Sequence, residues 1–288
     1  MPRQLSFIRF TFGAACSLVL CFGLQAFAYY GLGWKTGKGE SNYFSTLARF
    51  QAAAHPAAEI AFVGSSITGR LPGREVGNAN VANLGSDGGP ALDGLRMLVA
   101  GTIALPRFLV IETNTLYGGV GYGESLMARS RHGPWFSLGA RCPLLGASAR
   151  PTAMGYARLS RRPRVLEGES FAVTQTQISS VEMSEVSKQE WQRFHDYADA
   201  ITTLQKRGVR VILVQMPSGA MQGRDKQLIE WSIYEMQKRY RIPYIDLQQQ
   251  IPPAQLHFTD AVHLAPDSAA RVMHTIRMFC QNHTDTSR

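Results

Sequence analysis

Residues 60–69 read Ile-Ala-Phe-Val-Gly-Ser-Ser-Ile-Thr-Gly, an apolar run that stops at a glycine and passes straight into paired serines. A run this short, rich in β-branched and aromatic residues and closed by glycine, is a strand of the kind buried on both faces in a parallel sheet. Its serines then sit at the carboxyl end, where open α/β sheets bind ligands and where a following helix offers free backbone N–H donors. Ser65 and Ser66 therefore have two readings, a nucleophile site or ordinary helix caps, which serine also forms well.

The rest of the chain decides between them. Strand-like runs follow at 80–84, 108–112, 209–216 and 242–247, separated by helix-period segments at 91–104, 188–207, 225–241 and 266–281. Strands alternating with amphipathic helices predict an α/β domain with a parallel central sheet and right-handed crossovers. No internal repeat interrupts that rhythm. At 288 residues and 45% hydrophobic content the chain is long enough for one such domain with additions, here assigned to 58–284.

The first 34 residues separate from the rest. Arg3 and Arg9 lead an apolar segment in which only Gln25 interrupts the run from Phe10 to Trp34. That length spans a hydrocarbon core of roughly 30 Å, which needs about 20 residues. Ala26-Phe27-Ala28 also resembles a signal-peptide cleavage site. The expectation is a single-pass inner-membrane anchor at 1–34, with the periplasmic cleaved form as the alternative. The positive-inside rule places the remainder outside the cytoplasm. Tyr29, Tyr30 and Trp34 then read as an interfacial aromatic belt, and 35–57 as a tether with one short helix at 43–54. Cys142 and Cys280 would face an oxidising compartment, where a disulfide and two free thiols are both open readings.

The formal charge of +9 is unevenly placed. Between 116 and 186 lies a long arginine-rich insertion, with no acidic residue from 126 to 166. It includes Arg158, Arg161 and Arg162, which with Ser65 are the candidate substrate-binding residues. A segment of that length between confident elements is expected to be a lid, a docking surface for an anionic partner, or a solvated basic face. A nucleic-acid partner is not expected, since export removes the chain from most nucleic acid and no recognised binding motif occurs.

Three further strand ends supply what a serine nucleophile needs. Asn83-Leu84-Gly85-Ser86-Asp87-Gly88-Gly89 brings glycines that allow close backbone approach, and Glu112-Thr113-Asn114 presents a side-chain amide. Thr259-Asp260-Ala261-Val262-His263 places an Asp three residues before a His, so that the carboxylate can hold the second imidazole nitrogen. His257, Asp260 and His263 are also a conceivable metal-ligand set, but a metal there leaves Ser66, Gly85 and Asn114 unexplained.

These blocks, in this order over about 58–282, resemble the SGNH (GDSL-like) hydrolases. The resemblance implies a three-layer flavodoxin-like fold, with Ser66 as nucleophile, Asp260 and His263 as acid and base, and Gly85 and Asn114 as oxyanion donors. No cofactor is implied. Two departures stand out: Gly-Asp-Ser has become Gly64-Ser65-Ser66, and Gly-x-Asn-Asp has become Glu112-Thr113-Asn114-Thr115. The Gly-Ser-Ser form and the anchor look like the envelope branch, such as alginate O-acetylation proteins and the D-alanine transfer protein of teichoic acid synthesis. That likeness implies a serine esterase or O-acyltransferase acting on O-acyl groups of an exported polysaccharide beside a membrane-bound O-acyltransferase. The rival class is a scaffold or glycan-binding protein that keeps the fold without catalysis.

Overall fold

Strand β1 (Ile60–Gly64) is buried along its whole length, as its continuous apolar run requires. The computed structural model describes residues 2–34, 36–116, 133–159, 186–218, 224–260 and 262–282. Four more strands follow: β2 (Val81–Gly85), β3 (Phe108–Glu112), β4 (Arg210–Gln215) and β5 (Tyr244–Asp246). They pair in the order β2-β1-β3-β4-β5, and every pairing is parallel. The chain is thus a three-layer, flavodoxin-like α/β protein. Strand order reverses between β1 and β3, and the crevice at such a switch point is where open sheets place ligands.

The helices of two turns or more among the described residues are α1 (Pro2–Ala26), α2 (Asn42–Ala53), α3 (Leu92–Val99), α4 (Pro134–Arg141), α5 (Pro151–Leu159), α6 (Lys188–Lys206), α7 (Arg224–Tyr240) and α8 (Pro266–Asn282). Side chains alternate across the sheet with the period of 2 that a strand imposes. Ala61 and Val63 join Leu47, Phe50, Leu95, Ile201 and Trp231 on the face covered by α2, α3, α6 and α7. Ile60 and Phe62 join Val272 and Ile276 on the face covered by α8. Helix α3 stops short of the expected 104 because Gly101, at φ 71°, turns the chain into the left-handed region that ends helices.

Two expectations about the boundaries change. The segment read as a tether is part of the domain, since α2 buries Leu47 and Phe50 completely and packs along β2. Its sequence hid this because Arg49 sits amid the apolar positions. That guanidinium is itself buried, donating to Gly37 O, Gly85 O and Asp87. The arginine-rich insertion also contains packed structure at 133–159. There Gln51 of α2 donates to the Trp135 and Phe136 carbonyls and accepts from Ala147 N–H.

Among the described residues one helical stretch, Ile8–Gly31, is long and apolar enough to cross a membrane. Cys142 and Cys280 are free thiols. Burial, with the nearby Glu59 carboxylate, pushes the Cys280 thiol up to about 12.

Candidate active site

The chain leaves β1 through a turn built around a buried carboxylate. Glu112, the last residue of β3, is 1% exposed. Its Oε2 accepts from Ser65 N–H at 3.0 Å, Thr68 N–H at 3.1 Å and Thr68 Oγ1 at 2.5 Å. Its Oε1 accepts from Ser65 Oγ at 2.7 Å. Gly64 is required beneath this cluster, because a Cβ there would collide with Thr68 Oγ1 and the Glu112 carboxylate. Burial raises the Glu112 carboxyl above its ordinary range, and the bonds from Thr68 and Ser65 draw it part of the way back.

This turn separates the two serines. Ser65 is buried, its hydroxyl committed to Glu112 and to Ile67 N–H. Ser65, expected to bind substrate, here supports the turn from within. Ser66 is partly exposed, with its Oγ 2.8 Å from His263 Nε2. The Ser66 N–H has no acceptor among the described residues.

His263 arrives from the loop before α8. That loop is pinned by a bridge between Phe258 and Leu264, by Thr259 N–H on His263 O, and by Ala265 N–H on His257 O. Asp260 folds back on its own loop, Oδ1 accepting from the Val262 and His263 N–H groups. Its Oδ2 lies 2.8 Å from His263 Nδ1. Burial is the largest single influence on the Asp260 carboxyl and acts to raise it, but the His263 ring and these two backbone donors together outweigh it and hold the group below its ordinary value. An ionised Asp260 fixes the ring so that Nε2 faces Ser66, the arrangement a general base needs.

The two expected oxyanion donors are engaged elsewhere. Gly85 N–H donates to Asn83 Oδ1 at 2.8 Å, and Asn83 Nδ2 donates to the Thr68 and Leu71 carbonyls. Gly85 instead provides clearance, since a Cβ would collide with the Gly69 backbone and the Ser65 carbonyl. Asn114 ties β3 to β4, its Nδ2 donating to Met216 O at 3.2 Å and Ser218 Oγ at 3.0 Å, its Oδ1 accepting from Met216 N–H. In the loop after β2, the exposed Gly88, at φ 72°, has an N–H with no acceptor among the described residues.

The metal-ligand alternative does not assemble. His257 Nδ1 lies 2.8 Å from Asp267 Oδ2, and the described residues contain no grouping of three ligands. Arg158 is exposed at the end of α5, while Arg161 and Arg162 lie outside the described residues. Sequence reasoning missed Glu112 and Asn83 as determinants of the turn, for an acid at a strand end and a strand Asn carry no periodic signal. Comparison of the chain with protein-family models, curated proteins and solved structures finds no match.

Proposed function

We propose that the protein is a serine-dependent esterase or O-acyltransferase of the SGNH type. The observation that carries this is the relay from Asp260 through His263 to Ser66 at the switch point of a parallel sheet. Ser66 Oγ would attack an ester carbonyl while His263 Nε2 takes its proton, and Asp260 stabilises the imidazolium. The Ser66 N–H, without an acceptor among the described residues, would share the developing oxyanion charge. One such donor typically supplies about 3–4 kcal/mol of the barrier reduction. Transfer of the acyl group to water makes an esterase, and to a sugar hydroxyl a transferase.

The substrate class proposed is an O-acylated, exported cell-envelope polysaccharide, most simply an acetylated one. The site would be held at the outer face of the inner membrane, beside a membrane-bound O-acyltransferase. Support comes from the resemblance of the four sequence blocks and from the membrane-length helix Ile8–Gly31. Acyl analysis of envelope glycans from a deletion strain and a Ser66→Ala strain tests it. Loss of acyl groups in both identifies a transferase and gain in both an esterase, while unchanged glycans in both remove the substrate class.

The engagement of Gly85 and Asn114 by other partners favours a second reading, a non-catalytic glycan-binding partner of the acyltransferase. Under that reading a Ser66→Ala strain has wild-type glycans while the deletion strain does not.

A further inference from the structure

The carboxamide that interrupts the apolar amino-terminal run, Gln25, has partners outside its own helix. Gln25 Nε2 donates to Leu144 O at 2.7 Å and to Ala149 O at 2.8 Å, residues more than a hundred positions away. Tyr29, buried just beyond it, lies with its hydroxyl 3.5 Å from Ser148 Oγ and packs with Ala149 and Met154, against which Ala28, Trp34 and Leu144 also close. The chain between, Phe27–Gly31, is a π-helical turn continuous with α1. Helix and domain are thus joined by a packed, hydrogen-bonded contact on residues 144–154.

The membrane-length stretch runs from Ile8 to Gly31, 24 residues. At 1.5 Å per residue it is about 36 Å long, a little more than the roughly 30 Å hydrocarbon core. Gln25 lies about 9 Å before its end, near the outer hydrocarbon boundary. A carboxamide without partners is costly at that depth, and donation to two carbonyls removes most of the cost. The contact also fixes how the domain sits, because whatever Gln25 holds must lie at the same height. The exposed side chains there are of the kind that bilayer interfaces select: Tyr30 at 58% and Tyr156 at 45% exposure, with Leu32 and Arg158.

We propose that α1 is a retained anchor which, through Gln25 and Tyr29, clamps the 144–154 segment and seats that face of the domain, with α5, on the lipid surface. The anchor is a fixed strut and not a leash. Cleavage after Ala28 would remove Gln25 and strip the apolar cluster of Ala28. The seating is independent of the chemistry at Ser66. It holds the nucleophile at a set distance from the bilayer.

Full-length protein in vesicles of phosphatidylcholine and phosphatidylglycerol tests this. Intact mass of the membrane-extracted protein retains residues 1–31, and a mature chain lacking residues 1–28 overturns the proposal. Gln25→Leu keeps α1 apolar but removes both bonds. In hydrogen exchange the amides of 144–154 then exchange about thirtyfold faster, the effect of two lost bonds of ordinary strength, while those of β1 are unchanged. Equal rates in the two proteins overturn the clamp. Benzoylphenylalanine in place of Tyr156 forms a lipid adduct on irradiation. The same group in place of His274, exposed on α8 across the sheet, forms none. A protein–protein adduct at position 156, or lipid adducts at both positions, overturns the seating.

Discussion

The Ser65 hydroxyl donates to Glu112 Oε1 at 2.7 Å, so two of the positions at which the chain departs from the pattern it resembles, one in each block, are bonded to each other. The resembled pattern carries a carboxylate on the residue before the serine. Here the carboxylate stands on the neighbouring strand and reaches the same turn from below. It gathers the Ser65 and Thr68 backbone amides on either side of Ser66, so the backbone of Ser66 is held from β3.

Exchanging the two serines separates nucleophile from support. Ser66→Ala is expected to abolish labelling by a fluorophosphonate probe. Ser65→Ala retains labelling and loses about 1.5–3 kcal/mol of stability, the value of a hydrogen bond to a charged acceptor. Labelling that survives Ser66→Ala and vanishes in Ser65→Ala would refute the assignment.

Glu112 should tolerate loss of charge better than loss of shape. Glu112→Gln keeps an oxygen for the backbone amides and can donate to Ser65 Oγ, so it is expected to fold and label more slowly. Glu112→Ala leaves four donors buried without acceptors and opens a cavity, a loss of about 3 kcal/mol or more in denaturant unfolding. Equal stability of the two variants would show that the carboxylate does not organise the turn.

The same residue sets a pH dependence. Its native carboxyl sits above the ordinary value of 4.5, so between the two values the native state binds more protons than the unfolded chain. Unfolding free energy then falls as pH rises through that window and levels off above it. The difference between wild type and Glu112→Gln in thermal unfolding should follow this direction. A difference that grows more favourable to wild type as pH rises contradicts it.

Asp260 carries a separate expectation. Asp260→Asn removes the anion that orients His263 and should lower turnover roughly 10²–10⁴-fold while leaving the melting temperature nearly unchanged, since the side chain is half exposed. Turnover within a factor of about three of wild type would show that the loop orients the ring without it.

Helix α2 belongs to the core, so Phe50→Ala is expected to cost about 3–5 kcal/mol, as for any fully buried large apolar side chain. Removing residues 1–57 should prevent folding. A soluble, cooperatively unfolding 58–284 fragment would restore the tether reading.

Sequence alone determined the parallel α/β layering, because an apolar run closed by glycine and alternating helix-period segments are local patterns of period 2 and 3.6. It also singled out the Ser65-Ser66 pair together with Asp260 and His263, since residue type at successive strand ends is read without coordinates, and the resemblance those blocks carry pointed to Ser66. Tertiary structure decided which serine faces outward. That choice depends on Glu112 reaching across from β3, 46 positions beyond Ser66, and no local pattern encodes such a contact. It decided likewise that Gly85 and Asn114 are held by Asn83 and Met216, because an amide's partner is set by what packs beside it. Gln25 was visible only as a break in an apolar run, and its two acceptors lie on a distant turn that the folded domain brings to the helix.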